Sequence, residues 1–120
     1  MKPKGLWYDI DLSWIEWCNG NTDWTYKNHF ELEIDESKIL MIDTKQKLLN
    51  FDAEYSRKID ERISLHYVDW ELVSKKYSGI EISPYRYDCR FNLLWYYGFD
   101  IASGCIWNSD AIIAQKKIEI

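Results

Sequence analysis

The sequence predicts a single compact α+β domain, with mixed and antiparallel sheets and short flanking helices. Three observations point that way. Short apolar runs bounded by turn residues recur along the chain, and helix-capping signals fall between them at irregular intervals. The resulting order, β-α-β-β-α-(β)-α-β-α-β-β, lacks the regular alternation of a doubly wound sheet. At 120 residues the chain is long enough to form one core without disulfide or metal staples. No repeat, linker or low-complexity segment divides residues 1–120.

In chain order, Gly5-Leu6-Trp7-Tyr8-Asp9-Ile10 reads as a first strand leaving a Pro- and Gly-containing start. Ser13-Trp14-Ile15-Glu16 has capping-box spacing and predicts a short helix over 14–18, stopped by Asn19-Gly20-Asn21. Trp14, Trp17 and Cys18 then share one helix face, either a core face or a ligand face. His29-Phe30-Glu31-Leu32-Glu33-Ile34 alternates, which predicts a strand burying Phe30, Leu32 and Ile34. After a turn at Asp35-Glu36-Ser37, residues 38–42 read as a strand buried on both faces. Asp43 or Thr44 caps a helix to Tyr55, with Leu48, Leu49, Phe51 and Tyr55 as its apolar stripe.

Residues 57–66 are charged and closed by a short strand at Ile63-Ser64-Leu65. Asp69 caps a second helix over 70–77, with Gly79 beyond its end. Gly79-Ile80-Glu81-Ile82 follows as a strand, with Glu81 facing solvent. Residues 85–97 fit either a helix capped by Asp88 or a loop and strand, and the helix is the expectation. Cys105-Ile106-Trp107 is too short for a helix and reads as a buried strand, with Gly104 beside it marking a bulge or a close approach. Residues 112–120 form a terminal strand with Lys116 and Lys117 outward.

Composition narrows the function classes. Seventeen per cent of the residues are aromatic, with seven Trp and nine Tyr, which supplies either a core of large rings or an aromatic-lined groove. The net charge of −5 is carried by residues 1–55, with eleven acidic against six basic side chains. With no basic stripe, direct nucleic-acid binding is not expected. Cys18, Cys89 and Cys105 are far apart and form no zinc pattern, and two lone His make no ligand set. No apolar run approaches a membrane span or a signal peptide, so a reducing cytoplasm is the expected setting and no membrane partner is expected.

The stretch from Gly98 to Ile112 sets two Gly, two Ser and two Asp around a short apolar run, outlining either a pocket wall or an ordinary loop. Three pieces of the chain resemble a group of small phage and bacterial proteins. These are Lys2-Pro3-Lys4-Gly5-Leu6-Trp7 with Ser13-Trp14-Ile15-Glu16-Trp17-Cys18, then Asp69-Trp70 through Tyr77-Ser78-Gly79-Ile80-Glu81, then Gly98-Phe99-Asp100 through Ser103 and Ile106-Trp107-Asn108-Ser109-Asp110-Ala111-Ile112. That layout is similar to the ADP-ribosyltransferase-like fold, in which two antiparallel sheets meet at a cleft holding the nicotinamide half of NAD.

The resemblance implies NAD as cofactor, with Trp7, Tyr8, Trp14 and Trp17 on the cofactor side and Asp100 and Ser103 as the catalytic pair. Its chemistry is orientation plus electrostatic stabilisation of developing positive charge. The chain departs from the family pattern at two places. The first strand offers Trp7, Tyr8 and Asp9 where the family has Arg or His, and Ser103 falls at the position of the late-strand Glu. Asp100 and Glu81 remain as candidate carboxylates. Two functions are therefore in view: transfer of ADP-ribose to a macromolecular target or NAD hydrolysis, and a catalytically inactive phage-type effector that occludes a host protein.

Overall fold

The computed structural model describes residues 2–11, 14, 29–60 and 63–118. Its centre is a four-stranded sheet in the order β1 (Leu6–Asp9), β7 (Ser103–Ile106), β6 (Gly79–Ile82), β3 (Ile39–Ile42). The first three strands run antiparallel to their neighbours and β3 runs parallel to β6. β2 (His29–Ile34) and β8 (Ile112–Ile118) form an antiparallel pair, and β4 (Ser56–Asp60) and β5 (Ile63–Val68) form a second. Among the described residues, two helices, α1 (Lys45–Tyr55) and α2 (Trp70–Ser74), and four 3-10 turns accompany these strands. This is a compact α+β domain of mixed sheets with short helices.

Each strand of the central sheet sends alternate side chains to opposite faces, and both faces are covered. On one face Trp7, Leu40, Ile42, Ile80 and Ile82 pack with Leu48, Phe51 and Tyr55 of α1, Val73 of α2, and Trp95, Tyr96 and Phe99. On the other, Ile39 and Ile106 pack with Ala111, Tyr8, Met41, Ile34 and Ile112. The first core is largely rings. Phe51 meets Trp95 edge-on at 5.3 Å, and Trp95 meets Phe99 edge-on at 5.9 Å. The indole N–H of Trp95 donates to Asp52 Oδ1 at 2.9 Å, and that of Trp107 donates to the Tyr77 carbonyl at 2.8 Å, so burying these rings leaves no orphan donor. Thr44 and Asp69 cap α1 and α2 by accepting from Lys47 N and Leu72 N.

Several expectations are corrected. Residues 85–97 form no α-helix but two 3-10 turns, Tyr87–Cys89 and Leu94–Gly98. The neighbours Trp95 and Tyr96 are both fully buried, as are Cys89 and Phe99. Their spacing fits one face of an α-helix, so period alone favours the helix; the chain instead buries these side chains from two separate turns, where the rings meet Phe51, Trp70 and Tyr85. The Tyr96 hydroxyl accepts from Arg86 N at 2.9 Å and pins the bend. α2 ends at Ser74, short of 77, and Gly79 opens β6 instead of closing a helix, because a Cβ there would meet the Cys105 carbonyl. Phe30 and Leu49 are exposed, not buried. Lys58 pairs with His66 and Ser56 with Val68, so the charged segment 57–66 belongs to a hairpin. The helix expected over 14–18 lies outside the described residues except for Trp14.

Gly104 sits opposite Tyr8 in the β1–β7 register, and a Cβ on it would come within 3.0 Å of the Tyr8 ring. Gly104→Ala is expected to cost about 1–3 kcal/mol, the usual penalty of overpacking, because Tyr8 must leave its place. Urea unfolding against wild type measures it, and an unchanged midpoint would show that the ring has room to move.

Candidate functional site

A cavity of about 600 Å³ is lined by Leu6, Trp7, Tyr8 and Asp9 on one side and by His29, Phe30, Leu32, Gln115 and Ile118 on the other. Because neighbouring residues of a strand face opposite ways, a cavity touching four in a row runs along the strand's edge. Ile10 N donates to the Ala102 carbonyl, so residues 6, 8 and 10 turn their backbone groups toward β7. Trp7 and Asp9 therefore turn theirs toward the cleft. Among the described residues β1 pairs only with β7. Phe99, Asp100, Ile101 and Ser103 close one end, and Lys2 and Trp14 complete the lining.

Trp7, Tyr8, Trp14, Asp100 and Ser103 thus line one cavity although 96 positions separate the first from the last. Trp17 lies outside the described residues. Trp7 stands edge-on to Phe99 at 5.2 Å, and Lys2 Nζ lies 5.1 Å from its ring centre. The stem of Lys2 crosses Gly98, where a Cβ would fall 2.9 Å from Lys2 Cε. The Asp9 carboxylate accepts from Trp14 N at 2.9 Å, which ties Trp14 to the cleft. Ser103 is buried and its hydroxyl donates to the Ile101 carbonyl at 3.1 Å. With its proton directed there, Ser103 offers the cleft an acceptor oxygen and is not set up as an activated nucleophile.

Asp100 and Tyr8 are each engaged. Arg90 NH2 lies 3.6 Å from Asp100 Oδ1. Its guanidinium is ringed by Tyr97, Phe91 and Tyr87 at 4.8, 5.5 and 5.8 Å, and these three aromatic residues are exposed. The Tyr8 hydroxyl donates to Glu81 Oε1 at 3.0 Å. Glu81 is thus half-buried between strands, a correction to the solvent-facing residue expected from its alternation. Burial raises the Glu81 carboxyl above the ordinary glutamate value, and the bond from Tyr8 offsets only part of that rise. Burial and the Glu81 charge push the Tyr8 phenol up, so it is a firm donor at neutral pH.

Neither described cysteine is an alternative centre. Burial pushes the Cys105 thiol up to about 11, and burial with the neighbouring Asp88 raises Cys89, so both stay protonated. The lining as a whole offers faces for a flat ring (Trp7, Trp14, Phe30), carboxylates and a hydroxyl for polar groups (Asp9, Asp100, Ser103), and a cation in Lys2. Reading the sequence missed Lys2, Phe30, Phe99 and Arg90. Only Lys2 carried a signal, as the one cation directly before the first strand's Pro-x-Gly. Among the described residues no helix is long and apolar enough to cross a membrane. Comparison with protein-family models, curated proteins and solved structures finds no match to this chain.

The raised Glu81 carboxyl gives a pH test. Between the ordinary glutamate value near 4.5 and its higher value in the fold, the folded chain holds a proton that the unfolded chain releases. The contribution of Glu81 to stability is full below that window and is lost as pH rises through it. Glu81→Gln keeps an acceptor for Tyr8 and removes this slope, so urea midpoints from pH 4 to 7 should fall less steeply in the variant than in wild type. Parallel profiles would refute the assignment.

Proposed function

We propose that the cleft along β1 binds the nicotinamide-ribose half of NAD and that the chain is an ADP-ribosyltransferase-like protein. It transfers ADP-ribose to a macromolecular target or hydrolyses NAD beside one. The observation that supports this reading is the convergence of Trp7, Tyr8, Trp14, Asp100 and Ser103 on one cavity of about 600 Å³, a volume within the range of small-molecule sites. Trp7, Trp14 and Phe30 are the ring faces for nicotinamide, Asp100 and Ser103 accept from ribose hydroxyls, and Lys2 faces the phosphates. Bound NAD supplies a ribosyl group with nicotinamide as the leaving group. The chain's part is to hold that ribose against the Asp100 carboxylate, whose charge opposes positive charge growing on the sugar. Arg90 takes part of that charge away, which suits a slow or acceptor-dependent enzyme.

Proton NMR of NAD tests the reading. Wild type should broaden the nicotinamide resonances at millimolar NAD and release free nicotinamide with time. Asp100→Ala should lower the release by about tenfold or more, the scale of losing one electrostatic contact to a transition state. An unbroadened spectrum would overturn the reading.

A second reading, an inactive effector that occludes a host protein, is supported by the cluster Tyr87, Phe91 and Tyr97 around Arg90. Phe91 is 69% exposed and Tyr87 63%, and Arg with Tyr is the composition of interface anchors. In that case partners cross-linked from a host lysate should be lost in Phe91→Ala/Tyr97→Ala and retained in Asp100→Ala. Equal capture by both variants would exclude this surface.

A further inference from the structure

The other edge of the central sheet carries a second groove. The Ser78 and Ser83 N–H groups donate to the carbonyls of Lys38 and Ile42, so residues 38, 40 and 42 face β6 and the backbone of Met41 points outward. Among the described residues β3 pairs only with β6. A cavity of about 280 Å³ touches Leu40, Met41 and Ile42 in succession, so it runs along this edge. Its far wall is one stripe of α1: Lys47, Asn50, Phe51, Glu54 and Tyr55, spaced i, i+3, i+4, i+7 and i+8. An exposed sheet edge beside such a groove can take an added strand through its outward backbone groups.

β3 itself, Ile-Leu-Met-Ile, has no Lys, Pro or bulge of the kind that blunts sheet edges, unlike β8 with Lys116 and Lys117. We propose that a second copy of this chain occupies the groove, its β3 pairing antiparallel with this one about a two-fold axis near Met41. Charge favours a copy over a foreign strand. α1 returns over β3, so Lys47 sits near the Ile42 end of the groove and Glu54 near the other. A two-fold axis brings each Lys47 toward Glu54 of the second copy. Their present partners, Asp43 at 2.7 Å and Lys76 at 3.6 Å, are exposed pairs that exchange at little cost. The pairing is independent of the cleft at β1, on the opposite edge.

Sedimentation velocity on the full chain from about 5 to 500 μM tests this, the range expected for a contact of small area. Wild type should pass from monomer to dimer as concentration rises. Lys47→Glu and Glu54→Lys, both at exposed helix positions, should each weaken the dimer roughly tenfold because like charges then face each other twice. Mixing the two variants should restore association as a heterodimer, since one then presents two acidic and the other two basic groups. A chain monomeric throughout, or a dimer indifferent to both reversals, would overturn the proposal.

Discussion

Tyr8 lying across Gly104 with its hydroxyl on Glu81 is the contact on which the site depends. These three residues stand in one row across β1, β7 and β6, and the row works only because its middle member has no side chain. The bond joins β1 to β6 over the top of β7, so β1 is held by more than its four-residue ladder. With Tyr8 drawn inward, Trp7 must point to the opposite face, where it meets Phe99. The edge of β1 is then left to face β2 and β8. The cleft is a consequence of how one tyrosine is packed.

Legibility followed the reach of the interactions. Local signals were legible where they act locally: the cap at Asp69, one of the two alternatives Asp43 and Thr44 at the start of α1, the apolar stripe apart from Leu49, the strand Gly79–Ile82, and a first strand expected over 5–10 and found at Leu6–Asp9. Residues 85–97 were not: Trp95, Tyr96 and Phe99 have the i, i+1, i+4 spacing of one helical face, yet the segment turns twice and its rings meet Phe51, Trp70 and Tyr85. Phe30 alternated as a core residue should, yet it borders the cleft, and period alone cannot distinguish a buried face from a ligand-facing one. In the candidate site, Trp7, Tyr8, Asp100 and Ser103 came from motif resemblance. Glu81 was a candidate carboxylate in the sequence, but its bond to Tyr8, 73 positions away, was not legible there, and Arg90 entered only through its contact with Asp100, 10 positions away.

Arg90 couples two surfaces that the two functional readings would otherwise treat apart. It holds Asp100 at the end of the cleft while Tyr87, Phe91 and Tyr97 surround its guanidinium from outside. A partner settling on those rings would desolvate the guanidinium and strengthen its pull on Asp100. A partner drawing Arg90 outward would release the carboxylate to the cleft. Arg90 therefore touches both the aromatic cluster and Asp100 at the end of the cleft.

The two ends of the sheet are treated differently by the sequence, and the difference is physical. At β1, Asp9 accepts from Trp14 N and Trp7 packs on Phe99, so the edge groups open into a mainly apolar, aromatic cavity where a docking strand would meet a carboxylate. Such an edge is a poor template for strand pairing and a good wall for a small polar ligand. At β3 the side chains are all apolar, both faces are already packed, and only the backbone and the α1 stripe remain open. That edge presents the outward backbone of Met41 to an extended chain, with Lys47 and Glu54 of the α1 stripe beside it. The proposals of a ligand at β1 and of association at β3 both rest on the edges that these strands present among the described residues.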